Sequence, residues 1–135
     1  MIIGGVSKQL LHDFIRSLGS KDCHIALLTK EADYNAMSET FSGQGEIKAT
    51  GYASGGKKLQ GFVHGLDNGV AWCAWNNADW MNASIKAHGA VIYAKGDSNR
   101  VVTVLDFGAE HSSSQGLFRV KLPLPGAKDA IFWLT

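Results

Sequence analysis

A glycine-rich stretch, Gly51-Tyr-Ala-Ser-Gly-Gly-Lys57-Lys58, is the most inviting for chemistry. It reads G-x-x-x-x-G-K, the opening of a phosphate-binding loop whose backbone N–H groups cradle phosphates while the lysine reaches them. That chemistry next needs a Ser or Thr for Mg²⁺, then a helix whose N-terminus faces the phosphate. Lys58 stands where the hydroxyl should be, and Leu59-Gln-Gly-Phe-Val-His-Gly65 is a poor helix. The stretch is therefore read as a turn between strands.

The five histidines, His12, His24, His64, His88 and His111, stand at no metal-ligand spacing such as H-x-H or H-x-x-x-H, and no C-x-x-C occurs. No metal site is expected from these spacings. His24 and His88 fall in strand patterns and should be half-buried and hydrogen-bonded. Asp106, His111 and Ser112–Ser114 bring the residue types of a hydrolytic triad into one stretch. Triads draw their members from separate elements that hold geometry, and no G-x-S-x-G elbow is present. A solvated serine-rich loop is the simpler reading, with a hydrolase around Asp106–His111 as its rival. Glu39, Glu46, Asp79, Asp106 and Glu110 could supply paired carboxylates for glycoside hydrolysis, but nothing in the sequence selects two of them. The chain is read as a non-enzyme with no catalytic, cofactor or metal residues.

Four tryptophans, Trp72, Trp75, Trp80 and Trp133, are many for a chain of 135 residues. Trp72 and Trp75 are an odd number of positions apart, so on one strand they face opposite ways. An outward tryptophan suits sugar stacking or a protein interface; an inward one belongs to the core. Asn82-Ala-Ser84 matches a glycosylation sequon, which has no weight without a secretory leader.

The elements that must carry these residues are mostly strands. Ser7 is the expected N-cap of one helix, about residues 7–18, with Gly19 as its stop. Leu10, Leu11, Phe14, Ile15 and Leu18 recur at helical spacing on one face. Strands are expected at Cys23–Thr29, Leu59–Val63, Val70–Trp75, Ile85–Tyr93, Val101–Phe107, Leu117–Leu122 and Ala130–Leu134, with a weakly alternating stretch at Glu46–Tyr52. Glu31–Gly45 reads as a long loop with a turn of helix near Tyr34–Met37. Asp67-Asn-Gly69 is a hairpin turn, Gly96–Asn99 another turn. Asn76–Asn82 and Gly108–Gln115 break the strand pattern. About seven short strands with no helices between them exclude a parallel doubly wound sheet. They point to one mainly β domain over residues 1–135, an antiparallel sandwich or jelly roll with a short N-terminal helix.

Composition narrows the function classes. Charged residues are 19% of the chain, apolar residues 45%, and the formal net charge is +1. No concentrated cationic field is present for direct nucleic-acid binding. No stretch approaches the roughly 20 apolar residues of a membrane helix, and Met1-Ile-Ile-Gly-Gly-Val6 lacks the features of a signal peptide, so a soluble chain made in a cytosol is expected. Cys23 and Cys73 sit in apolar runs and are read as buried thiols, with a cross-strand disulfide as the alternative.

An ordered series of short motifs runs along residues 8–134. Ile25-Ala-Leu-Leu-Thr29 follows the helix; then come Gly51-Tyr-Ala-Ser-Gly-Gly-Lys57, a segment with tryptophan and asparagine, Ala90-Val-Ile-Tyr93, Leu105-Asp-Phe-Gly108, a serine-rich loop, Gly116-Leu-Phe118 and a closing strand. In this order the chain resembles small virion structural proteins of tailed bacteriophages, described as head decoration, cement or tail-associated proteins. The resemblance implies a virion component made in the host bacterial cytoplasm, with no catalytic residue to carry over. Its most specific form is a capsid decoration or cement protein, homo-oligomeric, contacting the major capsid protein or other virion proteins. The alternative is a tail- or fibre-associated protein or carbohydrate-binding module that meets host surface glycans. The candidate interface residues are Leu10 and Phe14 on the helix, Trp80, and Phe132 and Trp133 in the apolar C-terminal strand, which needs covering if it is not to aggregate.

Overall fold

The structure, a computed structural model, describes residues 1–126 and the backbone of residues 132–134. It is mainly β, with antiparallel sheets and one short N-terminal helix. The elements are helix α1 (Lys8–Ser17) and strands β1 (Asp22–Leu28), β2 (Lys57–Lys58), β3 (Val63–Asp67), β4 (Val70–Ala74), β5 (Ala78–Ala83), β6 (Lys86–Lys95), β7 (Arg100–Ser112), β8 (Gly116–Val120) and β9 (Phe132–Leu134). No helix among the described residues is long and apolar enough to cross a membrane. The sequence reads as one domain; the described residues gather into two compact units, taken in turn.

The first unit comprises residues 1–20, 60–77 and the chain from 121 onward. Its sheet runs in the order β3-β4-β9, all antiparallel. The β3–β4 hairpin turns at Asn68 and Gly69, both at positive φ, as the Asp67-Asn-Gly sequence requires. Helix α1 starts as expected: the Ser7 side chain accepts a hydrogen bond from the Leu10 N–H. Its end differs. Gly19 does not close the helix in a left-handed conformation; Leu18–Ser20 form a 3₁₀ turn instead. The reason for glycine is space, since a Cβ on Gly19 would lie 2.6 Å from the Phe62 ring.

The second unit, residues 21–59 and 78–120, holds a four-stranded sheet in the order β2-β1-β6-β7 and a two-stranded ribbon of β5 and β8. β1 and β6 are buried along nearly their whole length, which matches their continuous apolar runs. Ala26, Leu28, Phe41, Val91 and Tyr93 form a core cluster, with Tyr34, Val101 and Val104 packed against it.

Several expected boundaries are corrected. The described chain has nine strands rather than about seven. Asn76–Asn82 is not a break, because most of it is β5; its apolar Ala78, Trp80 and Ala83 are buried, and Asp79 and Trp80 face Arg119 and Phe118 on β8. Gly108–Ser112 is not loop, but continues β7 past an irregularity in its pairing with β6. Leu59–Val63 is not a strand; only Val63 joins one, β3, and the Leu59 N–H is satisfied by the Cys23 carbonyl. Glu46–Tyr52 is not a strand and makes only isolated bridges to Leu28 and Ser84. Near Tyr34–Met37 there is no helical turn. Asn35 organises a tight turn, its side chain accepting from Met37 N and its carbonyl from Ser38 N. Ala130 and Ile131 of the final expected strand lie outside the described residues.

Candidate functional site

In the first unit the helix splits its apolar residues between two directions. Ile15 is buried, with Leu11 and Leu18 half-buried beside it, and α1 packs against β3, β4 and β9. Leu10 and Phe14, one turn apart, point to solvent and are 47% and 59% exposed. The preceding segment adds Met1, Ile2, Ile3 and Val6, all exposed. Six large apolar side chains thus lie uncovered on one short stretch. Isolated exposed apolar residues are ordinary; a run of this kind is a candidate contact surface.

The other candidates fall elsewhere. Phe132 and Trp133 lie on β9, where their backbones pair with Cys73 and Trp72 of β4. Trp80 belongs to the second unit and is corrected as an interface residue. It is 4% exposed, edge-on to Phe118, near the Tyr52 ring and under the Lys57 ammonium. The alternation of β5 turns this side chain inward. Trp75 is also buried, against Phe62. Trp72 is half-buried, lies across from Gly65 on β3, and donates its indole N–H to Asp67 at 2.8 Å. Of the five candidates, Leu10 and Phe14 share a helix face, Phe132 and Trp133 lie on a strand of the same unit, and Trp80 belongs to the second unit.

The glycine-rich stretch is a built turn in the second unit. Lys57 and Lys58 form the short edge strand β2 beside β1, with no helix after them. Gly56 has φ +75°, and a Cβ there would run into the Ile25 carbonyl oxygen, so only glycine lets the chain pass β1 this closely. Glu46, not singled out by the sequence, organises the turn. Its carboxylate accepts from the Gly55 N–H at 2.7 Å, the Tyr52 hydroxyl at 2.5 Å and the Ser54 hydroxyl at 3.3 Å. The Tyr52 oxygen accepts in turn from the Leu27 N–H, and the Tyr93 hydroxyl donates to the Gly55 carbonyl. The Lys57 ammonium donates to the Asp79 carbonyl. With Lys57 committed to the Asp79 carbonyl, the Gly55 N–H to Glu46, and the Gly56 and Tyr52 N–H groups to the Ala53 and Ala49 carbonyls, the turn is a structural joint. Burial and the Glu46 carboxylate hold the Tyr52 phenol well above its ordinary ionisation range; burial also raises that of Tyr93. One further signal could have found Glu46: a carboxylate shortly before a glycine-rich turn is well placed to cap its N–H groups.

The triad residue types are also accounted for. The Asp106 carboxylate accepts from the Gly108 N–H at 2.8 Å, where Gly108 takes positive φ. The His111 ring lies edge-on to Phe107. Ser113 donates to the Ala83 carbonyl and accepts from the Ile85 N–H. Each of the three serves its own local contact. Asp79 forms a two-pronged ion pair with Arg119 across the β5–β8 ribbon, at 2.7 and 2.9 Å, and the Arg119 guanidinium holds the Asp79 carboxyl below its ordinary range.

Among the histidines, His24 is hydrogen-bonded to Asp22 and stacks near Tyr93, as its strand position implies. Spacing gave no hint that His12 and His64 meet. In the first unit His12 Nε2 and His64 Nδ1 lie 3.0 Å apart, joining α1 to β3. Among the described residues no group of three or more His, Cys, Asp or Glu is arranged to hold a metal ion. Cys23 and Cys73 are buried thiols, one in each unit, and burial pushes the Cys23 thiol up. Comparison with known protein families, curated protein sequences and solved structures gives no match.

Proposed function

We propose that this chain is a structural component of a tailed-bacteriophage virion, in its most specific form a capsid decoration or cement protein. The observation that carries the reading is the uncovered apolar run from Met1 to Phe14 in a chain whose glycine-rich motif is a structural joint. A cement protein clamps neighbouring shell subunits against internal pressure. It needs a rigid β scaffold, an apolar contact element and many symmetric copies, and it needs neither a cofactor nor a strong net charge. The ordered motifs along residues 8–134 support the same reading. The sandwich or jelly-roll arrangement of the sheets, homo-oligomerisation and contact with the major capsid protein belong to this proposal.

The test is compositional. Quantitative mass spectrometry of gradient-purified particles should find the chain at a copy number comparable to the capsid protein. A small multiple of tail symmetry would move it to the tail, and absence from purified particles would end the reading. A glycan-binding role on a tail or fibre is the second reading, favoured by Trp72, which is half-buried in the first unit. A glycan array with Trp72→Ala as control tests it; binding to no host surface glycan removes it.

A further inference from the structure

The His12–His64 contact brings two strong metal-ligating groups from separate elements together. His12 comes from the middle of α1 and is half-buried; His64 comes from β3 and is exposed. Their facing nitrogens are 3.0 Å apart and their ring centroids 5.1 Å apart, with the planes tilted by 45°. Neither ring hangs free. Phe62 lies 5.8 Å from the His64 ring and is itself held between Trp75 and Gly19. His12 is one turn before Ile15, the buried anchor of the helix.

In the neutral pair a single proton lies between the two nitrogens, so one of them presents a lone pair to the other. Moving that proton to the far nitrogen of its own ring gives the second imidazole a lone pair at the same place. Two imidazole nitrogens each about 2.0–2.1 Å from a metal ion are about 2.9 Å apart when they are cis at a right angle, and about 3.3 Å apart in a tetrahedral site. The observed 3.0 Å is the ordinary length of the hydrogen bond between the two rings and is also close to the right-angled separation. Right-angled nitrogen and oxygen sets are the tetragonal geometry of Cu²⁺ and Ni²⁺. The exposure of His64 leaves room for water to fill the remaining positions.

We infer that His12 and His64 form a two-imidazole site for a tetragonal divalent cation, Cu²⁺ or Ni²⁺, with water completing the coordination. The bound ion links the N-terminal helix to the β3–β4 hairpin of the same unit. This site is independent of the virion reading and stands or falls separately from it.

The experiment titrates the full chain with CuCl₂ and with NiCl₂ by calorimetry, and records the copper spectrum by electron paramagnetic resonance. One equivalent should bind with nitrogen hyperfine splitting from two imidazoles. His12→Gln and His64→Gln should each weaken binding at least tenfold and reduce the splitting to one imidazole. His88→Gln, a histidine of the second unit, should leave both unchanged. A second readout is thermal: either ion should raise the melting midpoint of the wild-type chain and leave that of the His12→Gln and His64→Gln variants where it was. Circular dichroism confirms that the variants are folded. Wild-type affinity in a folded His12→Gln/His64→Gln double variant would overturn the site, as would copper held by one imidazole in the wild-type chain.

Discussion

The turn at residues 51–58 and the segment at residues 1–14 are both glycine-containing, and their surroundings are opposites. At the turn, Gly56 has no room for a methyl group, Glu46 receives the turn's donors, and Lys57 is held by a carbonyl. At the N-terminus, a Cβ on Gly4 or Gly5 would meet nothing within 4 Å, and the apolar neighbours are open to water. One segment is committed to holding its own unit together. In the other, Leu11 and His12 face their own unit, while Met1, Ile2, Ile3, Val6, Leu10 and Phe14 stay open to water. Local crowding and satisfied donors thus separate fold-making sequence from surface left available for contact.

Substitution can break that contrast. The largest effect is expected from Gly56→Ala, which combines a strained φ with a backbone clash; it should destabilise by about 3 kcal/mol or more in chemical denaturation. Glu46→Ala comes next. It strands the Gly55 N–H and the Tyr52 hydroxyl, and should cost about 1–3 kcal/mol. The same cluster sets an alkaline limit. The phenols of Tyr52 and Tyr93 ionise less readily folded than unfolded, so the stability they contribute is complete below about pH 10, the ordinary value for a phenol, and is lost as pH rises further. Absorbance titration at 295 nm should show a late tyrosine step that coincides with unfolding and shrinks in Tyr52→Phe. Leu10→Ser with Phe14→Ser should change stability by no more than about 0.5 kcal/mol while abolishing self-association or particle binding. A large loss of stability there would erase the contrast. Gly4→Ala should do least, leaving the melting midpoint unmoved.

The residue pattern made much of the fold legible where it was locally consistent. Ser7 and the spaced leucines specify α1, the apolar runs specify β1 and β6, and Asp67-Asn-Gly specifies its hairpin. It failed where pairing is supplied from afar. Asn77, Asp79 and Asn82 argue against a strand, yet Asp79 and Trp80 are secured by Arg119 and Phe118, residues that no local window joins to them. Gly108 reads as a loop start but is an irregularity within β7. Leu10 and Phe14 could be placed on the helix from spacing, although which apolar residues face inward depends on packing against β3 and β4. Trp80 reads as a contact residue because no local signal marks its strand. The meeting of His12 with His64 depends on how α1 lies on β3, and no spacing rule contains it.

The central pair of the four-stranded sheet has a consequence for how the chain reaches its native state. β6 joins β7 through the tight turn around Gly96–Asn99, a local hairpin of the kind that closes in microseconds. β1 joins the same β6 from the far side, in register from Asp22 with Lys95 to Leu28 with Gly89. That second seam forms only after a long loop has closed, against a substantial entropic cost. During synthesis β1 leaves the ribosome well before its partner exists, and its apolar Ile25-Ala-Leu-Leu edge must wait unpaired. Topology therefore predicts that capture of β1 by the β6–β7 hairpin is a late folding step; Ile25→Ala should then slow refolding, and an unchanged refolding rate would count against it.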